Sequence, residues 1–265
     1  FIFVIVDQFC RGTDLIIDTN EKIEVAWLCV EAAEKAISLS AHPSALNYVL
    51  RGTTLLSESD WGENYDLCLR MFSATAEAHH VTGNHDGAVE ALSKIFDNSD
   101  RKHDRHDAYC MLLRVLFAQG KLGEFEEPIA VGIEVLNSII DFFPSEPTQE
   151  DLAKELKETH RLLESTPNDL IMLKEDMQDR KKIAAMRILN IMAFLTFQNS
   201  QELLAIVATR MVQLSLNFGL TKNSSLGFAL CAAFSGANGR EEEEIYLVFL
   251  IKIKLDSYPP TLTKF

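Results

Sequence analysis

Cysteine is scarce in this sequence: five in 265 residues, with no CxxC pair among them. Cys10, Cys29, Cys68, Cys110 and Cys231 are odd in number and widely spaced, which argues against a disulfide framework or a zinc ribbon and leaves reduced, buried thiols as the expectation. Positive charge is scarce too. Lys and Arg number 25 against 39 Asp and Glu, a net charge of −14, so no broad basic surface exists to neutralise phosphates or to hold an anionic membrane. Neither nucleic acid nor a membrane is an expected partner. FIFVIV at residues 1–6 is far too short to span a bilayer and lacks the basic flank and cleavage site of a signal peptide. With no secretory route to use it, the acceptor pattern Asn223-Ser224-Ser225 carries little weight, and a cytoplasmic setting is expected. There is no initiator Met, so the chain is expected to be a piece of something longer.

The motifs that carry chemistry are missing as well. No GxxxxGK[ST] loop occurs, and no GxGxxG follows a strand, so nucleotide phosphates have no cradle. Arg105-His106-Asp107 resembles a kinase catalytic loop only superficially, because the order is scrambled, no Asn follows at the required spacing and no DFG comes after it. There is no GxSxG elbow, and the acid runs EFEE and EEEE read as solvated faces. The expectation is a chain that is not an enzyme, with no catalytic, cofactor-binding or metal-binding residue assigned and no cofactor.

What is present is helical periodicity over nearly the whole chain. Val25, Leu28, Cys29, Ala32, Ala36 and Leu39 recur at steps of three and four, placing one apolar stripe toward a core. Helices are predicted over 21–39, 43–56, 62–82, 84–97, 103–119, 124–141, 148–164, 178–198, 200–218 and 222–236. Thr148 with Asp151, and Asn199 with Glu202, read as near-capping boxes, and Gly83, Gly120 and Gly219 stand where apolar runs end and a left-handed residue closes a helix. Pro144 and Pro147 in FFPSEP make the clearest break, with a looser connection around Pro167 and a solvated, mixed-sign helix start at KEDMQDRKK. The helix over 178–198 carries Ile188, Leu189, Met192, Phe194, Leu195 and Phe197 nearly all round, and is expected to be buried on most sides. The organisation predicted is a connector over 1–20, a helical-repeat domain over 21–238, and a divergent acidic and apolar tail over 239–265. In that tail IYLVFLIKIKL fits a buried helix or a strand equally well.

Short helices joined by short loops point to an all-α superhelical array of antiparallel helix pairs. Gly83-x-His85-x-x-Ala88 and Gly123-x-Phe125-x-x-Pro128 share one spacing, forty residues apart, as in degenerate tetratricopeptide-like hairpins: a Gly for the turn, a ring over the hairpin end, and a small residue where the helices approach. The same corner concentrates Glu77, His79, His80, His85 and Asp86, with His106 further on. Glu77 and His80 are one helical step apart and could share a face, and a metal site from Glu77, His80 and His106, within a His79-to-His106 cluster, is the alternative reading. His79 points about 100° away from that face, and polar residues at a hairpin end are expected to be solvated. Trp61 and Tyr65, one turn apart at a helix start, are expected to seal one hairpin against its neighbour rather than cap a groove.

The blocks IVDQFCRGTDLIID, AWLCVEAAEKAISLSAHPSALNYVLRGTTLL, DWGENYDLCLRMFSATAEAHHVTGN, AAMRILNIMAFLTF and MVQLSLNFGLTKNSSLGFA resemble, in order and over about residues 4–230, the helical region of large signalling ATPases. In those multidomain proteins a kinase-like domain, an AAA-type ATPase module, a tetratricopeptide-like helical region, a GAF domain and a sensor histidine kinase follow one another. Gly52, Trp61, Tyr65, Ala76, Glu77, Gly83, Ala185, Leu189 and Ser225 fall on positions of that pattern, and His79 lies where the family has a small or aromatic residue. The resemblance implies a scaffold between ATPase and output domains that holds a protein or peptide partner, or a small inducer, and relays its presence. The family's phosphate loop, GAF domain and phosphoacceptor histidine are absent from this chain, and the likeness fades after Asn238. A free-standing peptide-binding scaffold and a metal-dependent enzyme using the histidine cluster are the alternatives.

Overall fold

The structure is a computed structural model that describes residues 2–120, 125–140, 142–197 and 199–235. The predicted tail over 239–265 and Gly123 of the second hairpin motif lie outside the described residues. Among those residues the chain is all-α, without a strand, and it divides into two compact units between Gln119 and Gly120.

The first unit runs α1 (Ile2–Arg11), a 3-10 turn (Thr13–Leu15), α2 (Thr19–Ser38), α3 (His42–Thr53), α4 (Asp60–Glu63), α5 (Tyr65–Val81), α6 (His85–Asn98) and α7 (Lys102–Gln119). Asp18 starts α2 by accepting from the Glu21 amide at 3.0 Å. Two hairpins then close in the same way. At the end of α2 the Ala41 amide reaches back to Ala36 O and the Ser40 amide to Ile37 O, with Ser40 left-handed at φ 59°. At the end of α5 the Asn84 amide reaches His79 O and the Gly83 amide His80 O, with Gly83 at φ 82°. Both are paired six-to-one and five-to-two bonds around one left-handed residue. The glycine was legible in the sequence and the serine was not.

Small side chains make the α2 face of this unit's core. Ala26, Cys29, Ala32, Ala33 and Ala36 of α2 are fully buried, and Gly52 of α3 lies so close to α5 that an added Cβ would stand 2.3 Å from the Met71 methyl carbon. Leu39, assigned above to the buried stripe, is instead 62 % exposed, because the helix has already ended. Residues 2–11, read as connector, form a helix: Val6 and Cys10, four apart, are buried in the same core, and the Cys10 sulfur lies 3.9 Å from that of Cys29. The helix predicted over 62–82 is interrupted at Asn64, which ends α4 and precedes α5.

The second unit comprises α8 (Glu126–Ile139), α9 (Gln149–Ser165), α10 (Asn168–Met172), α11 (Arg180–Phe197), α12 (Gln201–Phe218) and α13 (Ser224–Ser235). Helix α12 packs against α9, α11 and α13 and is buried along most of its length. Thr148 and Asp151 form the reciprocal capping box at α9. At α12 the cap is Ser200, whose hydroxyl accepts from the Leu203 amide at 3.1 Å, and not Asn199, whose side chain turns back to Leu195 O. Gly219 closes α12 at φ 104°, and the segment after α10, read as solvated, pairs with it: Leu220 donates to Glu175 O and Met177 to Leu220 O, with Met177 buried. The connection at Pro167 contains α10, anchored by fully buried Ile171. On α11, Ile188, Leu189, Met192 and Leu195 are buried as predicted, whereas Phe194 and Phe197 are 56 % and 67 % exposed.

Candidate functional site

The histidine-rich corner is built by the α5–α6 turn. Asn84 is its centre: the side-chain oxygen caps α6 by accepting from the Gly87 amide at 3.0 Å, while its nitrogen lies 3.1 Å from His79 Nδ1. An added Cβ on Gly87 would stand 2.8 Å from that Asn84 nitrogen and 3.0 Å from the His79 ring, so the glycine is what lets the imidazole lie against the start of α6. His79 is therefore only 9 % exposed, not solvated. Burial pushes its pKa down, with Glu90 opposing in part.

His80 and His85 face each other across the turn with ring centroids 5.8 Å apart. Burial lowers the pKa of His80, and the Arg114 guanidinium on α7 and His85 lower it further. His106 is buried on α7, Glu77 is half-buried and Asp86 is exposed. Among the described residues no three His, Cys, Asp or Glu side chains come together as a metal site. The structure thus does not bring Glu77, His80 and His106 into one ligand set. Ala88, the small residue of the hairpin motif, is fully buried where α6 meets its neighbours.

The aromatic pair lies in the packed interior. Trp61 is 7 % exposed, stacked on Phe72 at 5.5 Å and edge-on to Tyr65 at 5.9 Å. Tyr65 carries a polar handle that sequence reasoning missed. Its hydroxyl donates to Asp104 at 2.7 Å and lies 2.7 Å from Ser99 Oγ, while the Arg101 guanidinium covers the ring at 4.2 Å and pairs with Asp66 at 3.1 Å. His103 Nε2 approaches the other oxygen of Asp104 at 3.0 Å. The charged start of α7, RKHDRHD, thus serves as a joint: the buried Asp104 carboxylate is satisfied by groups from α5 and α7. The signal was the Tyr65 spacing to a later acid, which periodicity cannot pair.

All five cysteines are buried and free of disulfides; burial raises the Cys29 thiol to about 12 and that of Cys68 to about 11. No described helix is long and apolar enough to cross a membrane.

The chain is similar to the hybrid signal transduction histidine kinase G of Dictyostelium discoideum, with 23% identity over 255 residues. The match covers 86% of this chain and 7% of that much longer protein. No protein-family model and no solved structure matches. The likeness is distant, and this chain spans only a small part of that protein's length.

Proposed function

We propose that the chain is a non-catalytic, cytoplasmic helical-repeat scaffold of an ATPase-linked signalling regulator, built from degenerate tetratricopeptide-like helix pairs. It holds a protein or peptide partner, or a small inducer, and relays the bound state to output domains. The observation that carries this reading is the likeness of 86% of the chain to a small fraction of a signalling kinase, a pattern suited to an internal relay segment. Two features support it. The hairpins after α2 and α5 close with the same bond pattern, and Tyr65, Asp104, His79 and Asn84 of the first unit are committed to joints between helices.

The test is to assay the purified chain for ATP hydrolysis and autophosphorylation. A scaffold gives no turnover above a mock purification. Turnover that follows the protein through chromatography overturns the reading.

A further inference from the structure

Two thiols from different helices meet inside the first unit. Cys10 of α1 and Cys29 of α2 are nineteen residues apart in sequence, and their sulfurs lie 3.9 Å from each other. Both belong to the core that joins α1, α2 and α3. A disulfide bond is about 2.05 Å long, so closure asks the sulfurs to approach by about 1.9 Å. Rotation about the two Cα–Cβ bonds sweeps a sulfur through that range.

The two helices are held to the core unequally. Helix α2 buries seven residues, whereas α1 buries Val6 and Cys10 and adds the Phe3 ring stacked on Tyr48 at 5.9 Å and Asp7 accepting from the Tyr48 hydroxyl at 3.0 Å. Its outer face leaves Val4 and Ile5 exposed. An element with few buried contacts opens at the least cost. In the closed state burial raises both thiols, Cys29 to about 12, while at Cys10 the contact with Cys29 and the Arg51 guanidinium oppose burial in part. The thiolate is the form that meets an oxidant, so the closed pair rests reduced and its reaction belongs to the opened helix.

We infer that Cys10 and Cys29 form an oxidative modification site, at which hydrogen peroxide joins the two sulfurs and fastens α1 to α2. When α1 lifts, the Cys10 thiolate attacks one peroxide oxygen. The O–O bond breaks, hydroxide leaves and takes up the thiol proton as water, and Cys10 becomes a sulfenic acid. As α1 closes, the Cys29 sulfur attacks that of Cys10: the S–S bond forms, the S–O bond breaks, and the departing hydroxide takes the Cys29 proton. Two thiols and one peroxide give one disulfide and two waters, the sulfurs losing the two electrons that the peroxide gains. The inference stands on this geometry and is independent of the scaffold reading.

The experiment treats the whole reduced chain with hydrogen peroxide in native buffer, alkylates the remaining thiols and maps the tryptic peptides without reduction. The site predicts a disulfide between the peptides 1–11 and 23–35, each of which carries one cysteine, absent before oxidation and removed by dithiothreitol. Amide exchange in α1 is expected to slow by about tenfold or more once the link forms, and to stay unchanged by peroxide in Cys10→Ala. Where that variant fails to fold, the map and exchange of the parent chain decide. A map without this link, links that scatter over Cys68, Cys110 and Cys231, or α1 exchange unaffected by the link each overturn the inference.

Discussion

Tyr65, at the first turn of α5, donates its hydroxyl to the buried carboxylate of Asp104 on α7 at 2.7 Å, thirty-nine residues away in sequence. This bond makes the charged start of α7 a seam between helices. Tyr65→Phe removes the donor and keeps the ring. The expected loss is about 1–3 kcal/mol, since a buried carboxylate loses a partner while the aromatic packing on Trp61 survives. Urea denaturation of both proteins measures it, and an unchanged midpoint would remove the seam from the account.

Two closing glycines make a matched pair. Gly83 has φ 82° with nothing within 4 Å of an added Cβ, whereas at Gly219, with φ 104°, the Cβ would stand 2.6 Å from Glu175 O and 3.0 Å from Met177 N. Backbone cannot swing aside as a side chain can. Gly83→Ala is expected to cost about 1–2 kcal/mol for the left-handed conformation alone, and Gly219→Ala at least about 3 kcal/mol from strain and collision together. Thermal melts of the two variants should rank in that order.

Ala88 is fully buried at the α5–α6 interface. Ala88→Trp overfills it and is expected to destabilise by about 1–3 kcal/mol. A melting curve identical to the parent's would count against close helix approach at this hairpin.

The buried histidines set a pH dependence. His79 and His80 have pKa values below the ordinary 6.5, chiefly from burial, so between the folded and unfolded values the unfolded chain binds more protons. Stability from this source is full above the unfolded pKa and is lost as pH falls through about 6.5 toward the folded value. Melting temperature is expected to drop from pH 7.5 to 5.5, and to drop less in a His79→Gln/His80→Gln variant. An equal drop in both would place the pH sensitivity elsewhere.

Periodicity made most of the helices legible, because each large helix buries one stripe: the stripe of α2 and the ends of α6 and α7 lie within a residue or two of where the sequence puts them. At α1, read as connector, the apolar residues of Ile2–Arg11 do share one face, and Val6 and Cys10 on it pack into the core beside α2. Periodicity failed at Ser40, whose left-handed conformation needs no glycine once two backbone bonds hold it. The candidate site was visible as composition and misread as environment. Residue types alone cannot say that His79 is buried beneath Asn84, because the contact depends on Gly87 leaving room.

The most direct measurement is elemental analysis of the whole chain purified without a histidine tag, since the account makes the histidine corner a helix joint and its chief rival makes it a metal-dependent active site. The account predicts zinc, copper, nickel, iron and manganese all well below one equivalent per chain, unchanged in His80→Ala. One equivalent of a transition metal that is lost in His80→Ala or His106→Ala would contradict it.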